Sequence, residues 1–295
     1  KCFTDSSSII IERSKFCSIT NGEFRRTDAA IVVWKNSDAN LITNNQAYDL
    51  SDGFYVSSFS SDDNTVSLNK AWFGKQGSAY GLLVDYGSNR VQFLGNELHS
   101  TNDATNAGVG VALVSTAGGQ AIGNRLYGFR IGGQLEGCAF TEFSNNYIQY
   151  TGPIFSGAAA IFVQQAFAGD TTQGNTISHN TIISKQRGVT GYHDFGFYLG
   201  IRLWVQSGAM WGVDVSKNMV FGCLHGILIP DDVGDFDYST IEGNTVYGSD
   251  DQNFSEGSPV FLKHNLVRGN NWTKQGFGQA LSTAPSNSIV SADTL

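Results

Sequence analysis

One asparagine pattern constrains this chain more than any other feature. An Asn followed within two residues by an apolar run recurs as Asn45-Gln-Ala-Tyr, Asn69-Lys-Ala-Trp, Asn96-Glu-Leu, Asn124-Arg-Leu-Tyr, Asn146-Tyr-Ile, Asn180-Thr-Ile-Ile, Asn218-Met-Val-Phe, Asn244-Thr-Val-Tyr and Asn265-Leu-Val. By subtraction the intervals are 24, 27, 28, 22, 34, 38, 26 and 21 residues. A repeat in this range commits a chain to a solenoid or a propeller, because one unit alone cannot bury its apolar face. Asparagine suits the corner of such a coil. Its short polar side chain tolerates left-handed backbone, and stacked amides can hydrogen-bond to copies in neighbouring coils. The reading is an Asn ladder along one corner.

Short alternating strand signals precede most of these corners, as in Arg90-Val-Gln-Phe-Leu-Gly and Gly212-Val-Asp-Val-Ser-Lys. A second strand family lies 10 to 20 residues before most corners, in Ala30-Ile-Val-Val-Trp, Gly81-Leu-Leu-Val, Gly110-Val-Ala-Leu-Val, Gly200-Ile-Arg-Leu-Trp and their like. Glycine at the strand start fits a bend with no room for a Cβ. Each coil therefore carries at least two strands. Period-3.6 patterns are nearly absent, which argues against crossover helices, and a WD-type propeller would need Trp-Asp and Gly-His signals that do not occur. The expected fold is all-β, a single-stranded right-handed parallel β-helix of about nine coils, forming a rod of about 40 to 45 Å at the usual strand separation. Residues 1–272 are read as the β-helix and 273–295 as a C-terminal extension that caps it or contacts neighbouring chains.

Composition narrows the partners. With 41% hydrophobic and 15% charged residues the chain can build a large core. A net charge of −8 disfavours DNA and RNA, which call for clustered Lys and Arg, and mildly disfavours a strongly anionic polymer, although Lys185 with Arg187 offers a local basic patch. No apolar window approaches 18 residues, so membrane insertion is not expected. Cys2, Cys17, Cys138 and Cys223 lack CxxC spacing and read as buried or idle thiols. No metal or cofactor is expected, since EF-hand and HExxH patterns are missing, and Ser-His-Asp chemistry lacks a GxSxG elbow. The start Lys-Cys-Phe-Thr-Asp, without Met, suggests a processed fragment or further N-terminal residues. Open rod ends would be capped or buried in an oligomer.

The phrases Gly-Asn-Thr-Ile-Ser-His-Asn-Thr-Ile, Ile-Glu-Gly-Asn-Thr-Val and Val-Ser-Lys-Asn-Met-Val resemble the pectate-lyase-like superfamily of right-handed β-helices. Within it, the aromatic content and long loops look most like the central domain of a bacteriophage tailspike. That resemblance implies a homotrimer, located extracellularly on the virion tail, that binds and cleaves a bacterial surface polysaccharide. It carries over no catalytic residue. An endo-glycosidase is the first reading; a polysaccharide lyase or epimerase, or a non-catalytic adhesin, are the alternatives.

Strand alternation points to where chemistry can sit. If Ile201, Leu203 and Val205 face inward, then Arg202, Trp204 and Gln206 face outward, with Phe162 and Gln164 equivalent one coil before and Leu228 and Pro230 one coil after. A Trp beside Arg and Gln suits a sugar face and its hydroxyls, and equally suits a contact between chains. The two long intervals mark insertions at about 164–174 and 185–198, which bring Asp170, Tyr192, His193, Asp194 and Tyr198; Asp231, Asp232, Asp235 and Asp237 follow one coil later. Asp235 and Asp237 read as turn formers. Glycoside hydrolysis uses two carboxyls about 5 Å apart for retention or about 6.5 to 9.5 Å for inversion. Glu142 and Asp214, each four residues before a corner Asn and two coils apart, form one candidate pair, and Asp194 with Asp232 another. His193 can serve as a proton shuttle, and a lyase could draw on Arg202, Lys217, His193 or Tyr198. The catalytic candidates are thus Glu142, Asp170, His193, Asp194, Asp214, Asp231 and Asp232. The substrate-binding candidates are Gln164, Tyr192, Tyr198, Arg202, Trp204 and Gln206. Each acid has a plainer reading as a solvated or turn-forming residue.

Overall fold

The structure, a computed structural model, describes residues 8–74, 80–101, 108–152, 158–165, 172–184, 197–229, 235–247, 252–256, 262–263, 265–271, 279–281 and 288–291. It is a right-handed parallel β-helix. Among the described residues every strand pairing is parallel, and each strand pairs with the corresponding strand one coil away. Three long sheets run along the rod. Among the described residues the first and second hold eleven strands each and the third nine, so nine coils carry all three strands. The third strand of each coil is the apolar run after the corner asparagine, as in Glu97–His99 after Asn96. No helix among the described residues is long and apolar enough to cross a membrane.

The corner is a ladder of buried amides. Asn45 Nδ2 donates to Asn69 Oδ1 at 3.0 Å, and the same bond repeats through Asn96, Asn124, Asn146, Asn180, Asn218, Asn244 and Asn270. Each Oδ1 also accepts the backbone N–H of the preceding rung, as from Asn96 N to Asn124 Oδ1 at 3.0 Å. The second amide hydrogen goes to a strand carbonyl, as from Asn96 Nδ2 to Val66 O at 2.9 Å. A side chain buried this deeply must satisfy its donors and acceptor, and here it does so by copying itself. Two details differ from the sequence reading. The ninth rung is Asn270, 26 residues after Asn244, because Asn265 begins the second-sheet strand Asn265–Arg268 that leads into the corner. The left-handed conformation belongs to the residue before each rung, among them Leu68, Gly95, His179 and Lys217.

The core fills the tube, with Ile31, Tyr55, Leu82, Val111, Ile161, Ile201 and Ile227 in one inward column. One member of the first sheet, Ile131–Glu136, escapes recognition in the sequence because two inward positions are glycines. Packing requires them. A Cβ on Gly133 would run into the ring of Phe143, and one on Gly132 would meet Ile148 and lie 2.6 Å from the carbonyl of Ala160. Apolar neighbours from other sheets fill the space that a side chain at these positions would occupy.

The lengthened coils build a small fourth sheet from Thr172–Gln173, Ala209–Trp211, Asp235–Asp237 and Leu262–Lys263. Asp235 and Asp237, expected in a turn, are the two ends of one of these strands. Phe236 between them is buried against the core, and pairing of Met210 with Phe236 fixes the register. Cys138 and Cys223 are free and buried, and Cys17 is partly buried. The strands Gln279–Leu281 and Ser288–Ser291 extend the first and second sheets by pairing with Gln252–Glu256 and Asn265–Arg268.

Candidate functional site

Outward positions of the first sheet line up into columns. Trp34, Ser58, Val114, Glu136, Gln164 and Trp204 occupy equivalent positions in their coils. Asp85 joins them between Ser58 and Val114, since it follows Val84, which pairs with Ser57 and Leu113. The column beside it carries Leu83, Ala112, Gln134, Phe162, Arg202 and Leu228.

At one end of this face Arg202 lies against two rings. Its guanidinium carbon is 5.1 Å from the centroid of Phe162 and 4.6 Å from that of Trp204, while the two rings stack at 5.7 Å. Phe162 faces away from the coil interior yet is only 8% exposed, clustered with Ala159 and Leu199, and Tyr198, Trp204 and Leu228 pack against that cluster. The Trp204 indole Nε1 is buried with no hydrogen-bond partner among the described residues. Tyr198 meets His225 edge to face at 5.2 Å. Gln164, in register with Trp204, is buried.

Further along the same face stand two acids, Asp85 and Glu136, two coils apart with Val114 between them, about 9.6 Å at the backbone. Glu136 Oε2 accepts a hydrogen bond from Gln134 Nε2 at 2.8 Å. Asp85 Oδ1 accepts the Tyr86 N–H at 2.6 Å. Burial nevertheless raises the Asp85 carboxyl above the ordinary aspartate range, because desolvation outweighs that bond. The Tyr80 hydroxyl is also raised, first by burial and then by the charges of Glu136, Asp85 and Asp52, so it stays protonated beside them.

The expected pair Glu142 and Asp214 does share a column, on the outer face of the second sheet, with Thr176 between. Ser144 Oγ donates to Glu142 at 2.6 Å and Ser216 Oγ to Asp214 at 3.1 Å. Burial raises the Asp214 carboxyl, opposed by the Ser216 bond and aided by Glu242. Its neighbours along the column are Gln92, Gln120, Thr176 and Thr240, with no aromatic residue among them. The spacing is as expected, but the pair sits on a different sheet from Arg202 and Trp204.

Arg202, Trp204 and Gln164 lie together on the first sheet, and Tyr198 packs against the cluster that holds Phe162. Gln206 does not join them: the strand Leu199–Val205 ends first, and Gln206 is exposed in the following turn. Asp170, Tyr192, His193, Asp194, Asp231 and Asp232 lie outside the described residues, as do Lys185, Arg187 and Pro230. Asp85 and Glu136 were not anticipated. Glu136 ends the glycine-containing strand, and Asp85 follows directly on Gly81-Leu-Leu-Val, so counting outward positions beyond the apolar run would have found it.

Solved structures share this fold at low sequence identity. The catalytic unit of a GH87 α-1,3-glucanase from Streptomyces thermodiastaticus superposes with a TM-score of 0.67 at 14% identity, covering 94% of this chain and 51% of the glucanase. The tailspike protein of E. coli bacteriophage HK620 gives 0.54 at 12% identity, over 96% of this chain and 58% of the tailspike. The periplasmic alginate epimerase AlgG gives 0.50 at 12% identity, over 97% of this chain and 76% of the epimerase. The chain thus spans about half the length of the glucanase unit. No curated protein sequence matches it. The family described as "Periplasmic copper-binding protein (NosD)" matches residues 2–151, just over half of the 295 residues, and the chain belongs to that family.

Proposed function

We propose that this protein binds a bacterial polysaccharide along the outer face of its first sheet and cuts it internally by hydrolysis, with Asp85 and Glu136 as the carboxyl pair. The observation that carries this reading is the single column holding Asp85, Glu136, Gln164 and Trp204. It combines two acids with groups suited to sugar faces and hydroxyls. Neighbours of the same fold named as a glucanase, an alginate epimerase and a tailspike support it. Asp85, whose carboxyl burial raises above the ordinary aspartate range, donates its proton to the glycosidic oxygen as the C–O bond breaks. Glu136, oriented by Gln134, takes a proton from the water that attacks the anomeric carbon. A two-coil separation leaves room for that water and implies inversion, whereas adjacent coils would give the closer spacing of retention. Within this reading the setting is a homotrimeric bacteriophage tailspike acting outside the host cell, and a solution mass of three chains is the expected result.

The family description names copper. Among the described residues no three of His, Cys, Asp and Glu come together to hold a metal ion. Burial pushes the Cys138 thiol up to about 12, and Cys223 higher still, which opposes the thiolate form a metal needs. These side chains do not fit a copper centre.

Incubation with a panel of bacterial capsular and O-antigen polysaccharides, followed by size-exclusion chromatography and ultraviolet absorbance, tests the reading. Chain shortening without new absorbance, lost in Glu136→Gln and Asp85→Asn but kept in Glu142→Gln and Asp214→Asn, is expected. New absorbance from an unsaturated product would mean a lyase, shortening that survives Glu136→Gln would move the chemistry elsewhere, and retention without shortening would mean an adhesin.

A further inference from the structure

Beside the Asp85 column runs a second line of equivalent positions, at the corner where the chain leaves the first sheet: Lys35, Phe59, Tyr86, Ser115 and Gly137. All five have left-handed backbone, with φ of 56°, 55°, 49°, 48° and 59°. Their correspondence follows from the adjoining register and from bonds such as Asn36 N to Phe59 O and Ser60 N to Tyr86 O. Because the same backbone shape repeats, side chains here project in the same direction and can stack along the rod. Phe59 and Tyr86 do so, with centroids 4.9 Å apart and planes 3° from parallel.

The stack then stops. Phe59 covers one face of the Tyr86 ring, but the next two coils offer only Ser115 and Gly137, too small to cover the other. Tyr86 is 63% exposed, and a Cβ on the adjacent Gly87 would find nothing within 4 Å. The open face looks onto a space two coils deep, about 9.6 Å at the backbone. The residue before Tyr86 is Asp85 and the residue before Gly137 is Glu136, so a ring lying there would sit alongside both acids. The bond from the Tyr86 N–H to Asp85 ties platform and acid together.

We infer that the free face of Tyr86 is a saccharide-stacking subsite, where a sugar unit rests over Ser115 and Gly137 and presents its glycosidic bond to Asp85 and Glu136. This deepens the reading of a polysaccharide hydrolase and rests on it. An aromatic face takes the apolar side of a pyranose, and the small floor residues leave room for the ring and its substituents. Trp204, several coils away on the same face, would contact a unit further along the polymer.

Two variants of the whole chain test the subsite. Tyr86→Ala removes the platform. Ser115→Tyr adds a ring at a position whose backbone already matches that of Phe59 and Tyr86, so it extends the stack over the open face without straining the fold. Retention of the polysaccharides by each protein is measured by affinity electrophoresis, and cleavage by kcat and KM, with thermal unfolding as the check on folding. Expected is a loss of retention and a rise in KM of about tenfold in both variants, with Ser115→Tyr unfolding no earlier than the unmodified chain. Cleavage with unchanged retention and KM in both variants overturns the subsite and leaves the hydrolase standing. Retention lost in both, from a chain that never cleaves, supports the subsite and overturns the hydrolase. Failure of the unmodified chain to retain or cleave any polysaccharide overturns both.

Discussion

Asn180 and Asn218 lie 38 residues apart in sequence, yet the side-chain amide of the first donates to that of the second at 2.9 Å in a buried corner. The interval is the longest between neighbouring rungs, and the bond is no different from that between Asn124 and Asn146, separated by 22. Loop length between rungs is therefore free while the rung itself is fixed, as a slow dependence of closure entropy on length allows.

The ladder makes a stability prediction. Asn180 Oδ1 accepts both the backbone and the side-chain N–H of Asn146 at 3.0 Å, and its own Nδ2 donates to Phe143 O at 2.9 Å as well as to Asn218. Asn180→Leu strands several buried partners at once and is expected to destabilise the fold by about 2–4 kcal/mol, seen as an earlier midpoint in urea unfolding. A midpoint unchanged from the unmodified protein would mean that water replaces the amide.

Glycines separate steric from conformational demand. A Cβ on Gly81 would overlap the carbonyl of Gly110 and lie 2.7 Å from Leu98 Cδ1, whereas Gly87 has φ of 72° and open space around it. Gly81→Ala should destabilise by about 2 kcal/mol or more through forced backbone movement, and Gly87→Ala by only about 1 kcal/mol, the strain of left-handed backbone. Thermal unfolding of the two variants side by side gives the ranking.

Asp85 links activity to pH. A carboxyl raised by burial keeps its proton to higher pH than an ordinary aspartate, so hydrolysis that uses it as the acid should fall as pH rises through that elevated value. Its linkage to stability has the opposite sense from that of a salt-bridged aspartate. The folded state binds the proton more tightly than the unfolded one, so stability increases as pH falls through the folded value, and the charged form weighs against the fold at neutral pH. Asp85→Asn, which keeps an acceptor for the Tyr86 N–H, should therefore lose cleavage while unfolding at a slightly higher temperature at neutral pH and at an unchanged one in acid.

Trp204→Phe probes the unpaired indole. Phenylalanine keeps a ring against Arg202 and Phe162 but removes the buried N–H. The fold should be unharmed, since a buried donor without a partner disfavours it, while KM for the polysaccharide should rise by about 5- to 20-fold, the value of one hydrogen bond to a ligand. An unchanged KM would remove the indole from the binding face.

Much of the architecture is legible in the sequence because it repeats. Eight of the nine rungs stand where the pattern puts them, and the ninth shifts to Asn270 because Asn265 imitates the pattern from within a strand. The alternation Ile201, Leu203, Val205 against Arg202 and Trp204 holds, as side chains in a strand must alternate. The strand Ile131–Glu136 is hidden, because its inward glycines are explained only by Phe143 and Ile148, which reach across the tube from other sheets.

By itself the sequence determined the coil: the asparagine period, the inward apolar positions and the parallel stacking follow from local backbone preference and from amides and side chains that need their own copies as partners. Which acids share a face was decided only in three dimensions. Asp85 and Glu136 are 51 residues apart, and Glu142 is far nearer to Glu136 in the chain than Asp85 is. Yet Asp85 and Glu136 align on the first sheet while Glu142 turns to the second, because a corner of a few residues redirects the chain and the hydrogen-bonded register between coils sets what stands above what.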